Sequence, residues 1–94
     1  KDIYDRPMNR NRQPCACLSW TTASGELTPI QIKVKDESGE IQTIKNIDVL
    51  STEKKSTFYC NVWIFHCVAP INNLRQRFMV SYQSDKGTWD IVKE

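Results

Sequence analysis

The chain has 94 residues, with 13 lysines and arginines against 11 acidic residues, 39% hydrophobic and 10% aromatic content. That length fits one domain, and three glycines with four prolines are too few for a disordered or fibrous chain. No apolar run approaches the roughly 20 residues that cross a bilayer as a helix, so no membrane partner is expected.

The charge is unevenly placed. Residues 1–14 carry Lys1, Arg6, Arg10 and Arg12 against Asp2 and Asp5, and the remainder holds nine basic and nine acidic side chains. The sequence therefore predicts a flexible basic N-terminal arm over 1–14 and a single all-β domain over 15–94. An arm of this kind reads as a solvated terminus, or more sharply as one that enters a nucleic-acid groove. The balanced body has no net footprint for nucleic acid.

Cys15 to Thr22 reads as a first strand, with Ala16, Leu18 and Trp20 on one face and Cys15 and Cys17 on the other. After Ala23-Ser24-Gly25 comes a strand from Leu27 to Lys35. There Ile30, Ile32 and Val34 alternate with Gln31, Lys33 and Lys35, and Pro29 marks an edge or bulge. Glu37-Ser38-Gly39 leads to a third strand, Glu40 to Leu50. Its apolar residues fall every third position, but its isoleucines favour a strand with a bulge near Lys45-Asn46 that moves the inward phase from Ile44 to Ile47 and Val49. Residues 51–57 read as a polar connection that could include a helical turn.

Phe58 to Tyr82 is the central hairpin. Its first arm is apolar on both faces, the pattern of a strand covered on both sides or closed into a barrel. Pro70 to Asn73 form the corner. In the second arm Phe78, Val80 and Tyr82 share a face, and Arg75 and Arg77 share the other. Thr88 to Lys93 is the last strand, with Trp89 and Ile91 opposite Asp90 and Val92. Each glycine stands third in a three-residue connection (Ala23–Gly25, Glu37–Gly39, Asp85–Gly87), where a hairpin needs a left-handed residue. The sum is a six-stranded antiparallel meander, curled into a small open barrel or a strongly bent sheet.

Catalytic signatures are absent, and the expectation is a non-enzymatic module with no cofactor. His66 and Cys67 are sequence neighbours on opposite faces, so they cannot form a nucleophile–base pair; His66 reads as a core or semi-buried histidine satisfied by backbone. The four cysteines favour reduced, mostly buried thiols, with a disulfide or a metal as the alternatives. Lys33 and Lys35, with Arg75, Arg77 and Trp63 or Phe65, form the candidate binding surface. It could stack on single-stranded nucleic acid, or simply keep a sheet face soluble. The leading expectation is a protein-binding or self-associating module, with a single-stranded nucleic-acid-binding barrel as the alternative.

The stretches Leu18-Ser19-Trp20, Pro29 to Val34 and Phe78 to Tyr82 with Trp89 resemble small uncharacterised all-β proteins of Gram-positive bacteria. The resemblance implies a bacterial, intracellular setting and carries over no activity or site residue. A cytoplasmic location is the expectation, with a removed signal peptide as the alternative, since the sequence does not begin with Met.

Overall fold

The computed structural model describes residues 12–93, and every regular element among them is a strand: β1 (Arg12–Thr21), β2 (Leu27–Lys35), β3 (Ile41–Ile44), β4 (Asp48–Ser56), β5 (Asn61–Ile71), β6 (Leu74–Gln83) and β7 (Thr88–Lys93). All neighbouring pairs are antiparallel, in the order β3-β2-β1-β7-β6-β5-β4. The arm expected over 1–14 begins outside the described residues. Its last three residues, Arg12 to Pro14, belong instead to β1, paired opposite Val92 to Asp90 of β7.

Strand β1 serves two partners. Arg12 to Cys15 pair with β7, whereas Ala16 to Thr21 pair with β2. The sheet turns at this switch and folds one half over the other. Ile32, Val34 and Ile44 of the first half then bury against Phe65, Cys67, Phe78, Val80, Trp89 and Ile91 of the second. The bent, open sheet expected from the sequence is thus present, with seven strands rather than six.

The extra strand comes from a break, not an insertion. The expected third strand stops at Ile44, and Asn46 takes a left-handed φ of 56°. Asn tolerates that conformation because its short polar side chain can bond locally. On one side of the break β3 pairs with β2; on the other β4 pairs with β5. The inward phase does move to Ile47 and Val49, both packed on the core. Residues 51–56, expected as a polar connection, continue β4 instead; their polarity reflects a strand with one free edge.

Local chemistry accounts for the turns. Thr22 and Glu26 close a three-residue loop, Asp36 and Glu40 another, with Gly25 at φ 94° and Gly39 at φ 87° in third place. In the second loop Asp36 Oδ1 accepts from Ser38 N, Ser38 Oγ and Glu40 N. The last turn is longer than expected: four residues, 84–87, join the paired Gln83 and Thr88, and Gly87 N donates to Gln83 O. The β5–β6 corner is tighter, with Asn72 and Asn73 at φ 53° and 64°, the paired positive values of a two-residue hairpin turn. In β2 the bulge falls at Ile30: Leu18 faces Gln31 and Ser19 faces Pro29. Ile30, expected inside, is extruded and exposed, and Pro29 takes the buried place.

Candidate binding cleft at the open seam

The two strands that end the sheet order, β3 and β4, share no hydrogen bonds and leave a seam between the halves. Because β3 pairs only with Ile32 to Lys35, the first half of β2 is also unpaired on that side. Leu27, Thr28 and the Gly25-Glu26 turn therefore face Thr52 and Lys54 of β4 across a cleft of about 370 Å³, with Trp63 in its lining.

The cleft has an aromatic back. Lys54 is opposite Trp63 in the β4–β5 register, and its Nζ lies 5.1 Å from the ring centroid. Trp63 approaches Tyr82 at 6.0 Å, Tyr82 reaches Trp89 at 4.8 Å, and Trp89 stacks on Phe65 at 5.8 Å. The series runs from the half-buried Trp63 to the fully enclosed Phe65. Trp63 is thus set rigidly by packing, while one flank meets the cleft.

On the opposite face of β4, Glu53 Oε2 bonds His66 Nε2 at 2.6 Å, pinning β4 to β5. The histidine expected to be satisfied by backbone has a carboxylate instead, and this contact holds the Glu53 carboxyl below its ordinary range. Pairing is irregular between Val49 and Ser51 but regular from Ser51 to Ser56. The bulge blunts the lower part of the edge and leaves the upper part straight.

Beyond the cleft, the β4–β5 turn holds Phe58 and Tyr59, 94% and 86% exposed. Thr57 organises the turn: its Oγ1 donates to Cys60 O at 2.8 Å and accepts from the backbone N–H groups of Cys60 and Tyr59. The two rings meet edge-on at 5.2 Å.

The residues singled out from the sequence do not converge. Phe65 is fully buried in the core and cannot meet a partner, a correction that follows from its place beside Trp89. Trp63 faces the seam. Lys33 and Lys35 are exposed on the outer side of β2, beside an apolar concavity of about 720 Å³ where β1 switches partners. Arg75 and Arg77 are exposed on β6, separated from β2 by β1 and β7, and Arg75 Nη2 is 3.0 Å from Asp48 Oδ2. Phe58 and Tyr59, read as the start of a strand, form the turn; no Gly, Pro or Asn announced it. Trp20, on the face of β1 that carries Ala16 and Leu18, is 65% exposed; the apolar pattern of that face gave no sign of it.

All four cysteines carry free thiols, and burial pushes those of Cys15, Cys17 and Cys67 up to about 12. Among the described residues no group of His, Cys, Asp or Glu is arranged to hold a metal ion, and no helix is long and apolar enough to cross a membrane. No protein-family model matches the chain, and no curated protein or solved structure is significantly similar to it.

Proposed function

We propose that this protein is a non-enzymatic interaction module that takes an extended segment of a partner protein along the free edge of β4. One observation carries the reading: the regular, unpaired edge from Ser51 to Ser56 borders a cleft lined by Trp63 and Leu27. Exposed strand edges bind other strands through main-chain hydrogen bonds, and adjacent pockets select alternate side chains. Lys54, with no ion-pair partner among the described residues, favours a carboxylate on the incoming segment. An apolar side chain beside that carboxylate would fill the space against Trp63. A bacterial, cytoplasmic setting belongs to the same reading, in keeping with the free thiols.

Selection from a displayed library of random dodecapeptides tests it. The expected winners alternate apolar and polar residues, include Asp or Glu, and protect β4 amides from hydrogen exchange. Binding should fall with Trp63→Ala and Lys54→Glu. Protection confined to other strands would refute the reading. So would a dimer in sedimentation that pairs β4 with β4 and competes with every selected peptide, because a second copy would then be the occupant.

A second reading has one observation in its favour. Trp20 projects on the outer side of the half-sheet that carries Lys33 and Lys35, an aromatic and two cations on one face, a combination that suits single-stranded nucleic acid. Retention of oligonucleotides at low salt, lost on Trp20→Ala, would support it; no retention would dismiss it.

A further inference from the structure

We infer that Phe58 and Tyr59 form a second anchor for the same partner segment, so that the protein recognises a strand with two apolar side chains four residues apart. This inference rests on the β4-edge reading and extends it. The two rings occupy the central positions of a turn at the end of β4, where polar residues ordinarily stand. Each is almost wholly in solvent, yet Thr57 holds the backbone beneath them with three hydrogen bonds. A large, exposed aromatic pair on an ordered backbone loses little freedom on contact, the property of residues that dominate binding energy.

Geometry sets the spacing. Lys54, which marks the level of the cleft, precedes Phe58 by four positions, the first two in β4 and the last two entering the turn. At about 3.3 Å per residue the two anchor points are at most about 13 Å apart. A partner strand lying against β4 advances at the same rate and presents one face at every second residue. A side chain that enters the cleft and one that reaches the aromatic tip are therefore i and i+4 on its near face. Spacings of three or five would turn the second side chain away.

The test uses synthetic extended peptides, each with a Glu and one apolar residue for the cleft, and a second apolar residue placed at i+2, i+3, i+4, i+5 or i+6. A peptide lacking the second residue is the reference. The i+4 peptide should bind about tenfold more tightly than the reference. That advantage should vanish with Phe58→Ser/Tyr59→Ser, while the reference peptide binds this variant unchanged. Circular dichroism of the variant should match the parent, because neither ring touches the core. If the reference binds but no spacing improves on it, the second anchor is refuted and the cleft stands. If no peptide binds, both fall.

Discussion

Truncating Phe65 distinguishes a core role from a binding role most directly. The side chain is fully buried, and its ring stacks on Trp89 at 5.8 Å with an interplanar angle of 25°. Phe→Ala at such a site costs about 3–5 kcal/mol in lost transfer energy and residual cavity. The aromatic pair accounts for about 0.5–1.5 kcal/mol of it. A domain of this length has a total stability of about 5–14 kcal/mol, so Phe65→Ala removes a fifth of it at the least. The Tm should fall by at least 12 °C, at about 4–8 °C per kcal/mol. Urea unfolding followed by far-UV circular dichroism measures the loss, with an unchanged m-value confirming that the midpoint reports stability. Phe65→Leu, which keeps most of the apolar bulk, should lose less than half as much. Trp63→Ala, two residues away and only half-buried, should cost less than Phe65→Ala while removing peptide binding. A Phe65→Ala variant within about 1 kcal/mol of the parent would refute the packing argument.

Other outcomes follow from the same geometry. Gly39→Ala meets no atom within 4 Å yet must hold φ at 87°, so it should destabilise by about 1–2 kcal/mol through backbone strain alone, readable in the same urea titration. Native protein at pH 8 should react slowly with a thiol reagent at Cys15, Cys17 and Cys67, whose raised pKa values of about 12 leave little thiolate, and all four thiols should react once unfolded. Those thiols hold their protons in the folded state above pH 9, where the unfolded chain releases them. The stability they contribute is therefore intact below about pH 9 and declines from there towards pH 12, a trend that the Cys67→Ala variant should show less steeply. The Glu53 carboxyl is held low by His66, and that of Asp36 by Ser38 and its turn amides. Their contributions are present above the ordinary carboxylate range and are lost as pH falls below it through the depressed folded-state values; Ser38→Ala should move the Asp36 NMR titration upward.

Much of the architecture was visible in the residues because local chemistry and tertiary packing agree there. The glycines at 25 and 39 punctuate hairpins, and Phe78, Val80, Trp89 and Ile91 alternate into the core. What misled was context. Residues 51–56 look like a loop because a strand with one free edge has no need of apolar side chains. Ile30 looks inward until the pairing of Ser19 with Pro29 skips it. Phe65 and Trp63 share a face, and only the fold shows that one lies behind the other. The aromatic turn gave no turn signal at all, since the hydroxyl of Thr57, not a permissive backbone residue, organises it. The candidate cleft was illegible for a deeper reason: it exists where two strands fail to pair, and a failure of pairing leaves no pattern in either strand.

The divided allegiance of β1 has a kinetic consequence. Each remaining ladder joins consecutive strands, so both halves can zip up from their own turns. Docking β1 on β7 brings Arg12 beside Val92 and must close a loop spanning almost the whole described chain. Assembly of the halves therefore waits on one late encounter, and tethering those two strands early should quicken it.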